Sequence, residues 1–359
     1  VYFLIPYGVE FGAEGAASGA FFGSIAGLIT ILFIYYRYQK NRSQKKELIE
    51  KQEVKKVLNR ILSVAIPVSI GALILPLMRL IDASMITRRL EVAGFSLEQA
   101  TSLYGQFNGM AMTLVRFPTV VAASLAVNLV PAISEAYTLQ ADKLVKSRIT
   151  KAFKLVLYVS IPASIGLFIL AEPLCQLIFA NAQAAIPLRY VSIGVVAVGL
   201  QQVTSSILQG FGKAKLPARN LFFGVLVNIV LNYTLTAIPT LGIRGAAFGT
   251  TAGFTLAAFL NIIAVFKIVK PDFDYDVLLI KPLFSGALMA IIVLSSYRFL
   301  TEIIEFNIII TLTTVFLGMI VYGLSLLLIG AITKEDLKLI PKIGDKLAVL
   351  LDKFGLVRG

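Results

Sequence analysis

The stretch that decides the fold class is Met110-Ala111-Met112-Thr113-Leu114-Val115-Arg116-Phe117-Pro118-Thr119-Val120-Val121. Apart from Arg116, it is a mostly apolar run that predicts the middle of a membrane-spanning helix. Arg116 lies about 12 residues into that span, which is a depth of about 18 Å at about 1.5 Å per residue. An ionisable group at this depth is costly unless it faces a partner or water. Arg116 is therefore the first candidate functional residue.

The composition extends this prediction to the whole chain. Of the 359 residues, 57% are apolar and 15% are charged, with a mean hydropathy of +0.84, whereas soluble proteins have roughly 25% charged residues. These values predict an all-α, polytopic membrane protein. The chain has no His and one Cys, Cys175, which excludes imidazole or cysteine metal clusters and an internal disulfide. It also lacks a P-loop and a nucleophile–base pair, so we expect neither an enzyme nor an ATP-driven pump.

Basic residues concentrate in alternate connections between apolar segments, as the positive-inside rule requires. The net charge of +13 therefore indicates membrane topology rather than nucleic-acid binding. Residues 1–6 predict the tail of an earlier span and hence a chain that has lost an N-terminal part. Spans of roughly 20 residues are predicted at Gly12–Tyr36, Ile61–Ile86, Tyr104–Ala132, Leu155–Leu170, Leu188–Gln209, Asn220–Ala237, Gly245–Ile268, Leu283–Leu300 and Ile308–Ile332.

A short motif occurs twice in the same orientation. Gly12-Ala13-Glu14-Gly15-Ala16-Ala17-Ser18-Gly19 is matched by Gly242-Ile243-Arg244-Gly245-Ala246-Ala247-Phe248-Gly249. Both copies open a span at the predicted outer side, which favours a parallel internal repeat. The alternative is that both copies are only small-residue patterns for close helix packing.

The order of several motifs resembles the multidrug/oligosaccharidyl-lipid/polysaccharide exporter superfamily, in its MurJ-like branch of the stage V sporulation protein B type. The motifs are the two glycine-rich copies, Ile81-Asp82-Ala83-Ser84, Arg116-Phe117-Pro118, Asn128-Leu129-Val130-Pro131-Ala132-Ile133-Ser134 and Leu208-Gln209-Gly210-Phe211-Gly212-Lys213. The resemblance implies a two-lobe bundle of about fourteen helices, of which about nine full spans and a stub are present here. It divides the chain into five segments: the end of an N-terminal lobe (1–36), a basic linker (37–60), a six-helix C-terminal lobe (61–270), an extra helix pair (271–332) and an amphipathic cytoplasmic tail (333–359).

The same resemblance implies a function. A MurJ-like protein of the bacterial cytoplasmic membrane flips a lipid-linked glycan diphosphate, such as lipid II, by alternating access. Its partners are that substrate and membrane lipids, its last two helices form a groove for the polyprenyl tail, and it needs no cofactor beyond a coupling cation or the proton motive force. Two alternatives stay open: a cation-coupled multidrug antiporter of the same superfamily, and a non-transporting scaffold for wall synthesis. The oligomeric state, the glycan and any role in sporulation are left open by the sequence.

The candidate substrate-binding residues are the polar positions inside the predicted spans. Arg116 matches the cavity arginine of the family and suits a diphosphate, because a guanidinium binds phosphate oxygens in pairs. Asp82 is a counter-charge to Arg116 or an ion or proton site, and Arg79 is a candidate that also suits simple pairing with Asp82. The remaining candidates line the cavity or only join helices: Gln106, Asn108, Asn128, Gln201 and Asn232.

Overall fold

A computed structural model describes residues 9–40, 51–303 and 307–333, and its contacts divide the chain into two compact units, Val1–Leu62 and Ser63–Gly359. The first unit contains helix α1 (Val9–Lys40) and the start of α2 (Lys51–Val92). The predicted first span lies inside α1. The predicted amphipathic tail lies outside the described residues.

The second unit is built from helices, and its described residues form no strand. It comprises the remainder of α2, α3 (Leu97–Tyr104), a π-helical turn (Gly105–Ala111), α4 (Met112–Thr138), α5 (Asp142–Ile169), α6 (Ala171–Phe179), a 3-10 turn (Ala182–Ala184), α7 (Ala185–Ser192), α8 (Val195–Gly210), α9 (Lys215–Leu235), α10 (Ile243–Ile268), a second π-helical turn (Asp276–Ile280), α11 (Lys281–Ile303) and α12 (Asn307–Leu328).

Most of the predicted spans have a helical counterpart. Seven helices of the described residues are long and apolar enough to cross a membrane, and an eighth is obtained if the bent pair of α7 and α8 counts as one span. The predicted span Ile61–Ile86 lies within α2, which is helical throughout that range but is not among those eight. The helix that contains the predicted span Leu155–Leu170 begins earlier than that span, because α5 starts at Asp142 and its first turns carry positive charges.

The predicted span Leu188–Gln209 is formed by two helices rather than one, since α7 and α8 are bent by 49° at their junction. The junction residue Gly194 packs on α10, where an added Cβ would lie 2.9 Å from Thr251 Oγ1. The Thr251 hydroxyl donates to the carbonyl of Tyr190, at 3.3 Å. Thr251 of α10 thus provides a hydrogen-bond donor for a backbone carbonyl near the end of α7. This contact stabilises the bend between α7 and α8.

The second copy of the glycine-rich motif opens α10 and packs it closely on α9. A Cβ on Gly245 would lie 2.6 Å from the Leu235 carbonyl carbon, and one on Gly253 would lie 2.6 Å from the Gly224 carbonyl oxygen. Small residues therefore let the two backbones approach, as in other membrane helix pairs. This role is the alternative that the sequence left open for the motif, and the internal repeat stays a prediction.

Candidate functional site

Arg116 lies in the second turn of α4 with an exposed side chain. Its guanidinium forms no hydrogen bond or ion pair with any residue that the structure describes, while its backbone carbonyl accepts a hydrogen bond from Thr119 Oγ1 at 2.9 Å. Exposed residues continue this face along α4 at spacings of three and four, namely Val120, Ser124, Val127 and Pro131. Arg116 is thus a single cation on an otherwise uncharged, exposed stripe of the second unit.

The two residues that follow Arg116 line an apolar groove of about 530 Å³. Phe117 and Pro118 belong to its α4 wall, and α5, α6, α11 and α12 supply the others. These walls include Val159, Pro162, Ala163, Gly166, Leu167, Leu170, Leu174, Met289, Val293, Val315, Gly318 and Met319. The groove therefore offers an apolar surface whose α4 wall is formed by Leu114, Phe117 and Pro118, whereas Arg116 lies between them in sequence but is not part of the lining.

The groove has two hydroxyl groups in its lining, and neither makes it a polar site. Thr314 donates to the carbonyl of Ile310 on its own helix, at 2.6 Å. The Tyr322 side chain is 7% exposed, and its hydroxyl is buried without a hydrogen-bond partner among the described residues. The arrangement suits a hydrocarbon chain.

Asp82 lies in α2 and is buried, with 6% of its surface exposed. Its Oδ1 accepts a hydrogen bond from Asn232 Nδ2 of α9, at 3.0 Å. In the described part of the chain it pairs with neither Arg116 nor Arg79, so the two ion pairs considered from the sequence are absent. Arg79 is exposed instead, and Tyr104 lies within electrostatic range of both Arg79 and Asp82.

Further oxygen atoms surround the Asp82–Asn232 contact along α9 and α10. Asn228, one turn before Asn232, donates from Nδ2 to Thr250 Oγ1 at 3.1 Å. The side-chain carbonyl oxygens of Asn228 and Asn232 and the hydroxyl of Thr236 are buried and lack partners among the described residues. A buried carboxylate with unpaired amide and hydroxyl oxygens has the chemistry of a site for a hard cation or a proton. Among the described residues, no group of three or more His, Cys, Asp or Glu side chains is placed so that it could hold a metal ion.

The other predicted site residues do not converge on Arg116. Gln201 is buried and donates to Ser205 Oγ at 3.2 Å, within a network that Asn261 and Asn220 continue. Gln106 is buried in the first π-helical turn, with Nε2 3.5 Å from Gln183 Oε1. Gln106 thus connects the first π-helical turn to the 3-10 turn, whereas the bond of Gln201 stays within α8 and the network reaches α10 only through Asn261.

Two predicted residues remain on or near the surface. Asn128 is exposed on α4 and donates to the carbonyl of Ser124 at 3.1 Å. Asn108 is half-buried in the first π-helical turn. The structure therefore brings together Asp82 and Asn232, and leaves the other predicted residues apart from that pair.

Several residues of the two sites were not singled out from the sequence. Phe117 and the α11–α12 lining of the groove carry no polar pattern that would reveal them. Asn228 is recognisable as a polar position inside a predicted span, and it recurs with Asn220, Gly224 and Asn232 at intervals of four residues along α9. Thr250 of α10 has no such signal.

Comparisons with known proteins agree with this architecture. A family model described as the lipid II flippase MurJ matches residues 3–317. Stage V sporulation protein B of Bacillus subtilis (strain 168) is 27% identical over 266 residues, which are 74% of this chain and 51% of that protein. The lipid II flippase MurJ of the same strain is 26% identical over 245 residues, which are 66% of this chain and 44% of that protein. The chain thus spans about half the length of these curated relatives.

One solved structure supports the fold. The lipid II flippase MurJ in an inward closed conformation superposes with a TM-score of 0.53 at 17% identity, covering 82% of this chain and 59% of that one. The all-α, polytopic membrane fold and the location in the cytoplasmic membrane are thereby confirmed. The matched family is one of transporters, which agrees with the expectation that the chain is not an enzyme. Because the family model covers 3–317 of the 359 residues, the chain belongs to the lipid II flippase MurJ family.

Proposed function

We propose that the whole protein moves a lipid-linked glycan diphosphate across the cytoplasmic membrane by alternating access. The observation that carries this proposal is the exposed Arg116, whose guanidinium has no partner among the described residues and which is followed in sequence by two residues of the apolar groove. A guanidinium in a membrane needs an anionic partner or water, and a diphosphate supplies oxygen atoms in the geometry that arginine binds in pairs. The names of the relatives point to the same substrate class, lipid II, for those proteins.

The groove is expected to guide the tail rather than to supply affinity. Lipid tails are as apolar as the side chains of the groove, so moving a hydrocarbon chain from the bilayer into it gains little hydrophobic free energy. The head group must therefore supply most of the binding, and Arg116 is the residue proposed to bind it. This division predicts that changes at Arg116 reduce substrate binding more than conservative changes among the apolar lining residues.

Asp82, Asn232, Asn228 and Thr250 form the proposed coupling site. The buried carboxylate would take up a cation or a proton, and its occupancy would change how α2 is held against α9. This site is equally compatible with an antiporter of cationic drugs. Arg116 favours the flippase, because an exposed guanidinium repels a cationic substrate and attracts an anionic one.

Rescue of cells depleted of their lipid II flippase tests the proposal. We expect the whole protein to restore growth and Arg116→Ala to fail, because the charge that binds the diphosphate is lost. Arg88→Ala is the matched control, since Arg88 is also an exposed arginine but lies at the end of α2, away from the groove. Equal rescue by wild type and Arg116→Ala, at equal protein levels in the membrane, would rule out the proposed site.

A further inference from the structure

A second cavity, of about 670 Å³, lies at the end of the helices that the charge pattern places outside. It is formed by α6, the 3-10 turn, α7, α11 and the start of α12. In contrast to the groove, much of its lining is polar. The side chains used below are Glu172, Gln176, Arg189 and Tyr297.

The polar groups of this outer pocket offer donors and acceptors without net charge. Arg189 Nη2 lies 3.5 Å from Glu172 Oε2, and the two side chains are 47% and 64% exposed. Gln176 is exposed one turn after Glu172 on α6, where its amide both donates and accepts. Because Glu172 neutralises Arg189, the pocket does not suit a diphosphate. It suits a neutral ligand with many hydroxyl or amide groups.

Tyr297 adds an aromatic surface to this polar set. It is half-buried in α11, and its ring belongs to the pocket lining. Aromatic rings provide apolar contact area together with a polar edge, and the C–H face of a sugar ring is apolar while its rim carries hydroxyl groups. A tyrosine beside a glutamine and an ion pair therefore matches a saccharide better than it matches a lipid tail.

The outer pocket continues the groove. On α6, Leu174 lines the groove while its neighbour Pro173 lines the pocket. On α11, Val293 lines the groove and Tyr297 lines the pocket, one turn further out. A lipid whose tail occupies the groove therefore has a polar, uncharged pocket within one helical turn of it, on the outer side.

We propose that this outer pocket binds the saccharide part of the lipid-linked substrate after translocation, before the lipid leaves for the outer leaflet. The inference rests on the proposed flippase function and adds a second subsite to it. Arg116 holds the diphosphate within the membrane, whereas the outer pocket holds the sugar at the exit.

Saturation-transfer NMR and calorimetric titration of the purified whole protein in nanodiscs test this inference, with N,N′-diacetylchitobiose as a soluble, neutral, N-acetylated disaccharide probe. We expect saturable binding that Tyr297→Ala weakens by at least about fivefold, the loss expected for one aromatic contact. Tyr297→Phe keeps most of the binding, because the ring remains. Gln176→Ala weakens disaccharide binding. Gln209→Ala leaves it unchanged, because Gln209 is an exposed glutamine at the C-terminal end of α8 and does not line the outer pocket.

The outcomes separate this inference from the proposed function. Absence of saturable binding, or binding that Tyr297→Ala and Gln176→Ala leave unchanged, overturns the outer pocket even if the protein rescues flippase-depleted cells. The opposite result is also informative. If the protein binds the disaccharide, and Tyr297→Ala and Gln176→Ala weaken that binding, but the protein fails to rescue the depleted cells, then the flippase function is overturned and the saccharide site is retained. Arg116→Ala is expected to bind the disaccharide as wild type does.

Discussion

Arg116 is exposed and unpaired among the described residues, whereas Asp82 is buried and accepts a hydrogen bond from Asn232. The sequence predicted both as candidates, because each is a charge inside an apolar helix. It could not predict their partners. The contact between Asp82 and Asn232 joins residues 150 positions apart, and nothing in the spacing of either helix specifies it. The exposure of Arg116 depends on the packing of α4 against its neighbours, which a single sequence does not show.

A cysteine-labelling experiment measures the exposure of Arg116. Cys175 lies in α6, outside the candidate spans, and is completely buried. Burial raises the pKa of its thiol to about 11, so at pH 8 it stays protonated and unreactive. We expect wild type to react slowly with a membrane-impermeant thiosulfonate and Arg116→Cys to react fast in open vesicles. Fast labelling of wild type at pH 8, or an inert Arg116→Cys, would contradict the structure.

Asp82→Asn tests the proposed coupling site. The amide keeps the size of the side chain but removes its charge, so a cation or proton is no longer bound there. We expect transport by the variant to lose its dependence on the sodium or proton gradient while the protein stays folded. Asn261→Ala is the control, because it disrupts a different buried network, with Asn220 and Ser205. Unchanged dependence on the gradients in Asp82→Asn would exclude this residue from coupling.

At the scale of helices, apolar length predicted where most spans lie, and the structure places helices over all of them. Hydropathy measures the length of an apolar run but is insensitive to a contact from another helix. The break between α7 and α8, where Thr251 of α10 hydrogen bonds to the Tyr190 carbonyl, was therefore missed. The predicted span at Leu155 starts later than α5, which begins at Asp142, because the first turns of that helix are basic and an apolar run does not include them.

The close packing of α9 on α10 gives a prediction about stability. In Gly253→Ala the new methyl would lie 2.6 Å from the Gly224 carbonyl oxygen and 2.9 Å from the Asn228 Cβ, so the helices must separate. Overpacking of this kind costs about 1–3 kcal/mol. We expect Gly253→Ala to have a lower midpoint of thermal unfolding than wild type in detergent, with unfolding monitored by size-exclusion chromatography.

Gly105→Ala serves as the matched control for that measurement. A Cβ at Gly105 would meet nothing within 4 Å, and alanine favours helix over glycine by up to about 1 kcal/mol. Its unfolding midpoint should therefore equal or exceed that of wild type. Equal midpoints for Gly253→Ala and wild type would show that the α9–α10 contact is looser than the structure indicates.

At the scale of the molecule, the described helices present the exposed Arg116, an apolar groove and the buried carboxylate of Asp82. The groove runs along α4, α5, α11 and α12, and the outer pocket lies at its end. The sequence alone predicted the membrane class. The groove at the last two helices was predicted only through family resemblance, because its apolar lining does not differ in composition from any lipid-facing surface.

Translocation by the whole protein in proteoliposomes tests the central claim most directly. The measurement follows a fluorescent lipid-linked glycan diphosphate as it becomes accessible to an impermeant quencher, for wild type, Arg116→Ala, Arg116→Lys and the control Arg88→Ala. We predict that Arg116→Ala lowers the rate at least about tenfold, the equivalent of about 1.4 kcal/mol, with Arg116→Lys intermediate because lysine lacks the paired geometry. Arg88→Ala should match wild type. A wild-type rate in Arg116→Ala would contradict the claim that Arg116 anchors the substrate.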